Sequence, residues 1–442
     1  MKFTGSTFRR LCLLWLLVFA GVGAHAAQGA AATSSAKAQS GTKASKPAKA
    51  VPPPKPVLAP PAGNLVIIGG GLRADNAEVW QRIVQLAGGR GARIGVFGSA
   101  SINPEKSAQN TVNKLNQYGA QAFFIPLGVT LPNSDYRKAA EDPEVVALIH
   151  SATGIYFTGG DQARITKALV RPDGSRTLAL EAVWDVYRDG GVVAGSSAGA
   201  AIMSTTMFYD AKATLDMLKQ GVTDGNEIAP GLGFIGDDVF VDQHLLVRGR
   251  FARMIPAMLK KGYKFGLGID ENTAMVVDSR RNVEIVGHKG ALLIDLSRAT
   301  TDTASAGFNV SNAVISYLDR GDRYDLASHI FTPSEAKAGG RLRAEHAVLH
   351  QPVFSPDILG RNAVVELMES LIVNRRVEAI GIATSGPQSL LPELGFQFTF
   401  SKTRDSVGFA AASAAAQSYS ILNVRLDIRP LDIGRSLTTQ KN

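Results

Sequence analysis

A single cysteine, Cys12, stands among 442 residues, and it lies inside an apolar leader rather than in the body of the chain. It stands at the very start of the apolar run, too early for a lipid-attachment cysteine. Loss of the leader leaves no thiol, which excludes disulfides, thiolate metal sites and a cysteine nucleophile. Long hydrophobic runs are also missing. After the leader no stretch approaches the roughly 20 uninterrupted apolar residues that a membrane helix needs. Neither a G-K-[ST] phosphate loop nor an H-E-x-x-H zinc helix occurs, so no metal and no cofactor is expected. His346 and His350 share an i, i+4 spacing without a third ligand and read as surface or packing residues. Basic surplus is absent from the folded part as well. Of the formal +9, the leader carries three charges and Lys37, Lys43, Lys46, Lys49 and Lys55 carry five, leaving about +1 for everything else. A nucleic-acid surface is therefore not expected.

What is present begins with a targeting segment over residues 1–26. Lys2, Arg9 and Arg10 precede the apolar run Leu11–Val22, and Ala24-His25-Ala26 offers a small-residue cleavage site. The reading is an exported protein, secreted or periplasmic, by general secretion rather than the twin-arginine route. Residues 27–62 are rich in Ala, Lys and Pro and read as a disordered linker with a semi-stiff proline end. From residue 63 short apolar runs alternate with amphipathic segments, which predicts an α/β fold with a mostly parallel sheet and helices on both faces. Expected strands include Leu65–Ile68, Arg93–Phe97, Ala122–Pro126 and Gly154–Phe157, with helices at Ala74–Ala87 and Pro104–Tyr118 between them. Later short strands near 274–277, 283–286 and 291–296 look antiparallel. From about 330 to 442 the pattern changes to an α+β extension, either an accessory lobe or an elaboration of the core. Gly69-Gly70-Gly71 after the first strand lacks the third glycine of G-x-G-x-x-G and reads as a tight strand-to-helix turn.

Residues 190–201 read G-G-V-V-A-G-S-S-A-G-A-A. Val192-Val193-Ala194 suits a buried parallel strand, and Gly195-Ser196-Ser197-Ala198-Gly199 fits G-x-S-x-G. A strand that turns sharply into a helix at such a motif strains the central serine and exposes its hydroxyl above the sheet. A packing turn made of small residues has the same composition, so the motif needs companions. His244 supplies a candidate base just past the expected strand Asp238–Asp242, where α/β folds place their chemistry. Arg248, Arg250 and Arg253 follow it, either as an anion-recognising set or partly as a solvated helix face. Asp270 and Glu271, ending the expected strand Phe265–Ile269, offer the carboxylate that orients such a base. Ala198 is one oxyanion donor by elbow geometry. The glycines of Thr158-Gly159-Gly160-Asp161-Gln162 offer the second, with Gln162 facing the substrate.

Together the motifs Thr158–Gln162, Gly195–Gly199, Asp242-Gln243-His244 with Arg248, Arg250 and Arg253, and Gly268-Ile269-Asp270-Glu271 resemble cyanophycinase. That is a serine exopeptidase of the family that also contains aspartyl dipeptidase. The resemblance covers about residues 64–328 and includes Gly321-Asp322-Arg323-Tyr324-Asp325-Leu326. It implies a class I glutamine amidotransferase-like fold, with Ser197 as nucleophile, His244 as base, Glu271 as orienting acid, and Gly160 and Ala198 at the oxyanion hole. It also implies that Gln162, Asp242, Gln243, Arg248, Arg250 and Arg253 shape the substrate pocket. Arginines would meet aspartyl carboxylates there, and Asp242 a guanidinium or amine. The implied substrate is cyanophycin, multi-L-arginyl-poly-L-aspartate, cut to β-Asp-Arg without a cofactor, and the implied assembly is a homodimer. Alternatives are a related peptidase for other aspartyl or isoaspartyl peptides, and an inactive binding protein on the same fold.

Overall fold

In the computed structural model, residues 60–305, 307–342, 349–386, 388–411 and 418–433 are described. The expected leader, its cleavage site, nearly all of the linker, and His346 lie outside them. Five short runs open the fold as parallel strands: β1 (Asn64–Ile68), β2 (Arg93–Phe97), β3 (Gln121–Ile125), β4 (Gly154–Phe157) and β5 (Val192–Ser196), ordered β1-β5-β4-β2-β3. Side chains alternate between two cores, as a pleated strand requires. Leu65 and Ile67 pack with helices Pro143–His150, Gln162–Leu169 and Leu178–Arg188 on one face. Val66 and Ile68 pack with Ala77–Leu86 and Pro104–Gln117 on the other.

The helix starts follow side-chain chemistry. Asn76 accepts a hydrogen bond from the Val79 amide and Thr177 from that of Leu180, satisfying amides that a helix start leaves without partners. This cap explains why the first helix begins at Ala77 and not at the expected Ala74.

After β5 the chain forms a small hairpin, β6 (Thr206–Phe208) with β7 (Ile228–Pro230). It then alternates between two sheets, a division that the sequence pattern did not disclose. The parallel pair β8 (Val239–Gln243) and β9 (Phe265–Ile269) begins a second sheet. Next, β10 (Thr273–Val277) and β11 (Asn282–Gly287) return antiparallel to the first sheet beside β1. Then β12 (Ala291–Asp295) and β13 (Val310–Leu318) join the second, and β14 (Arg323–Asp325) with β15 (Ile330–Thr332) closes the first. The first sheet is thus mixed, its five opening strands parallel and the rest antiparallel.

The C-terminal strands β16 (Arg341–Leu342), β17 (Val353–Ser355), β18 (Glu378–Ala383), β19 (Leu394–Ser401), β20 (Val407–Ala410) and β21 (Tyr419–Asp432) all extend the second sheet. Its main path runs β17-β18-β19-β21-β13-β12-β9-β8. The α+β segment after residue 330 therefore completes a sheet begun upstream, through the β21–β13 pairing. Helices Phe251–Lys261 and Ala363–Ile372 cover the outer face of that sheet, around Phe240, Ile294, Ile315 and Phe398. Its inner face shares a core with the first sheet through Val241, Leu267 and Leu293.

Candidate active site

Both sheets deliver strand ends to one place. In the first, Ile68 lies opposite Ser196 and Phe157 opposite Gly195, so the turns after β1, β4 and β5 are neighbours. In the second, Gln243 lies opposite Ile269, which puts the turns after β8 and β9 side by side. Ligands in open α/β sheets collect at such carboxyl ends.

Ser197 occupies the turn after β5 with φ 56° and ψ −107°, a region that a residue with a Cβ rarely visits. Its amide donates to the Ile68 carbonyl at 3.0 Å, tying the elbow to β1. The two motif glycines are required by crowding. A Cβ on Gly195 would stand 2.1 Å from the Gly199 carbonyl oxygen, and one on Gly199 would stand 2.3 Å from that of Phe157. The small-residue packing and the strained serine anticipated as alternatives coexist here.

Ser197 Oγ lies 2.8 Å from His244 Nε2, and His244 Nδ1 lies 2.5 Å from Glu271 Oε1. His244 is 7% exposed and also has a positive φ, 51°. Burial holds its imidazole below the ordinary value. The Glu271 hydrogen bond opposes that shift, while the charges of Arg248 and Arg250 reinforce it. A neutral imidazole oriented by a carboxylate can take a proton from the serine hydroxyl at neutral pH. Of the two adjacent acids, Glu271 is the one that reaches the histidine. Asp270 is fully buried, and its Oδ1 accepts from the amides of Leu246 and Val247, both at 3.0 Å.

The turn Gly69-Gly70-Gly71 carries more than its sequence suggested. A Cβ on Gly70 would stand 2.2 Å from His244 Cε1, and one on Gly71 would stand 3.1 Å from Glu271 Oε2. The Gly69 carbonyl accepts from the His244 amide at 2.8 Å, and the Gly70 carbonyl accepts from that of Asn272 at 2.8 Å. The turn is a bare backbone shelf under the histidine and the glutamate. A run of three glycines is the signal for such close approach, and only its neighbour in space was illegible.

Around the serine, Gly159 is the closer glycine. Its Cβ position lies 3.7 Å from Ser197 Oγ, whereas Gly160 is pressed against the Ala100 backbone. Ala198 opens the short helix Ala198–Ala201, where the first amides have no partner within the helix. Gln162 Nε2 donates to the Phe208 and Tyr209 carbonyls at 2.8 and 3.2 Å, which fixes the segment after β6 beside the site.

The residues expected to line the pocket divide into two groups. Asp242 and Arg253, with side chains 2% and 5% exposed, satisfy each other through two hydrogen bonds of 2.7 Å, and the guanidinium also lies 4.1 Å from the Phe208 ring centre. They offer support beneath the site in place of the free charges expected of them, because a buried charge needs its partner. Arg250 donates to the carbonyl and side-chain oxygens of Gln243 at 3.0 and 3.1 Å, and burial pushes it down to about 10. Arg248 is exposed, and its guanidinium makes no hydrogen bond or ion pair among the described residues. It is the arginine of the set still available to an anion.

The family model described as Peptidase family S51 matches residues 65–285. A cyanophycinase of Geminocystis herdmanii is 30% identical over 272 residues, which are 60% of this chain and 94% of that protein. A cyanophycinase of Synechococcus elongatus is 29% identical over 274 residues, 60% of this chain and 80% of the relative. Among solved structures, a peptidase from an acI-B1 Actinobacterium is 26% identical with a TM-score of 0.39, covering 52% of this chain and 90% of its own. A putative peptidase E protein from Listeria monocytogenes is 16% identical with a TM-score of 0.34, covering 51% and 98%.

Proposed function

Because the chain belongs to peptidase family S51 and is a serine peptidase, we propose that it degrades cyanophycin, releasing β-Asp-Arg through an acyl-enzyme. The observation that carries this reading is the contact chain from Ser197 Oγ through His244 to Glu271, at 2.8 and 2.5 Å, on a strained elbow. The substrate is supported by relatives named cyanophycinase that align over most of their own length.

Ser197 Oγ attacks the carbonyl carbon of an aspartyl backbone amide while its proton passes to His244 Nε2. The Ala198 amide and one from Gly159 or Gly160 stabilise the oxyanion. Collapse breaks the C–N bond, and the imidazolium returns the proton to the leaving amine. Water, deprotonated by the same nitrogen, then cleaves the ester and restores the serine. Glu271 keeps the Nδ1 proton in place throughout. Arg248 meets a substrate carboxylate, and Gln162 holds the β6 segment that borders the pocket. The leader ending at Ala24-His25-Ala26 supports action outside the cytoplasm, where a polymer too large to import must be cut. Among the described residues no helix is long and apolar enough to cross a membrane.

The test is dipeptide release from insoluble cyanophycin, compared with cleavage of soluble isoaspartyl dipeptides, by the protein and by Ser197→Ala. Release that falls by at least about 10⁴-fold in the variant is expected. Release that survives the substitution overturns the nucleophile. Cleavage of dipeptides alone replaces the polymer with small aspartyl peptides.

A further inference from the structure

The turn that carries His244 and the turn that carries Glu271 are joined by a closed circuit of polar contacts, and one member of it comes from the C-terminal part of the chain. Asp270, beside Glu271, accepts at Oδ1 from the Leu246 amide at 3.0 Å, two residues past His244. The Leu246 carbonyl accepts from the Asn362 amide at 3.0 Å. Asn362 Oδ1 accepts from Lys289 Nζ at 3.0 Å. Lys289 Nζ closes the circuit 3.0 Å from Asp270 Oδ2, near enough for an ion pair though out of line for a hydrogen bond. Backbone packing reinforces it. Gly249, at φ 55°, lies so close to Leu359 that a Cβ would stand 1.8 Å from the Leu359 carbonyl oxygen.

Each link has a physical reason to persist. Asp270 is fully buried, and a carboxylate there needs both its amide donors and a cation. Asn362 sits in the left-handed region at φ 59° and makes no side-chain cap on the helix Ala363–Ile372 that follows, so its amide oxygen is free for Lys289. Ile358, fully buried, anchors the segment from below by donating its amide to the Ile382 carbonyl at 2.9 Å. Lys289 and Asn362 both lie beyond residue 285, where the family match ends. The curated relatives account for about 60% of this chain.

We propose that Asn362 and Lys289 are positioning residues for the hydrolysis, and that residues 357–362 are a built-in brace of the His244 turn. The inference rests on the proposed role of His244 as base. The brace matters because His244 holds a positive φ and meets Ser197 and Glu271 at once. Small displacements of such a turn are costly to rate, up to about a hundredfold for 1 Å. Neither brace residue touches the catalytic atoms, so its effect falls on turnover and not on substrate binding.

The experiment measures kcat and KM on cyanophycin for the full chain, Asn362→Gly, Lys289→Met, Lys289→Arg and Ser197→Ala. Each turnover number, except that of Ser197→Ala, is normalised to the fraction of serine that a fluorophosphonate probe labels at completion, and the labelling rate is recorded. Glycine accepts the left-handed backbone and keeps the amide donor, so Asn362→Gly removes the side chain and with it the Oδ1 contact to Lys289. Expected are kcat and labelling rate per active serine about tenfold lower in Asn362→Gly and Lys289→Met. KM should stay within about twofold, and Lys289→Arg should be largely restored. A loss confined to the labelled fraction, with wild-type rates per active serine, overturns the brace while leaving the reading of the site intact. A change in KM alone overturns it too, because it marks a substrate contact. Activity that survives Ser197→Ala defeats the reading of the site, and the inference with it.

Discussion

Gly70 and His244 are in direct apposition: the position of a Cβ on Gly70 lies 2.2 Å from Cε1 of the imidazole and 2.5 Å from Nε2, the atom that faces Ser197. The glycine also has φ 107°, which side chains resist. Gly70→Ala therefore must either push the ring away from Ser197 or distort the shelf. Its kcat is expected to fall by about a hundredfold or more, with a stability loss of about 1–3 kcal/mol from backbone strain. Steady-state kinetics alongside thermal melting checks both, and wild-type turnover in a folded variant would refute the shelf.

The charges around His244 predict opposite movements of the pH profile. Burial lowers its pKa, the Glu271 hydrogen bond raises it, and Arg248 and Arg250 lower it further. The acid limb of kcat/KM, where the base gains its proton, is expected below the ordinary histidine value of about 6.5. Glu271→Gln removes a group that favours imidazolium, so the limb of its residual activity moves to lower pH. Its rate should drop by about 10⁴-fold, as for other orienting carboxylates made neutral.

Arg248→Gln removes a cation that disfavours imidazolium, and its acid limb should move to higher pH. Because this arginine is exposed and uncommitted among the described residues, KM should rise as well. Profiles for the two variants, measured in one buffer series, decide the signs. A shift of both in one direction would contradict the electrostatics.

Asp242 and Arg253 should behave as structure and not as a binding surface. Breaking a buried pair leaves an uncompensated charge, at a cost of about 3–5 kcal/mol. Arg253→Met is expected to lower the unfolding midpoint in urea by that equivalent, since Asp242 stays buried at 1% exposure. An unchanged midpoint with a raised KM would return the pair to the pocket.

A second pH effect lies on the helix Ala363–Ile372. Burial, followed by the charges of Asp319 and Glu366, pushes the Glu369 carboxyl up to about 7. An acid whose folded-state value is raised favours folding below its ordinary value near 4.5 and loses that contribution as pH rises through 7. Glu369→Gln should therefore raise the melting temperature more at pH 8 than at pH 5. Equal shifts at the two pH values would rule this out.

Much of the molecule was legible from local chemistry. The five parallel strands announced themselves as short apolar runs, because strands covered on both faces bury nearly every side chain. The serine elbow was legible because crowding at Gly195 and Gly199 admits only glycine. Histidine and carboxylate could be found because a strand end must present them. Less legible was anything that depends on which strands are neighbours. Splitting β8 and β9 from the first sheet leaves no trace in periodicity, since buried strands of either sheet look alike.

By itself the sequence determined the chemical inventory: a G-x-S-x-G motif, a histidine past a strand end, two adjacent acids, three arginines, and no cysteine after Cys12. Only the tertiary structure decided how that inventory is spent. It set Glu271 and not Asp270 on the histidine, turned Asp242 and Arg253 toward each other, and left Arg248 free. It also brought a three-glycine turn and Asn362 to the site from 174 residues upstream and 118 residues downstream of His244. The reason is physical. A residue's type limits which bonds it can make, but burial and the position of its partners select among them, and both are properties of the packed chain.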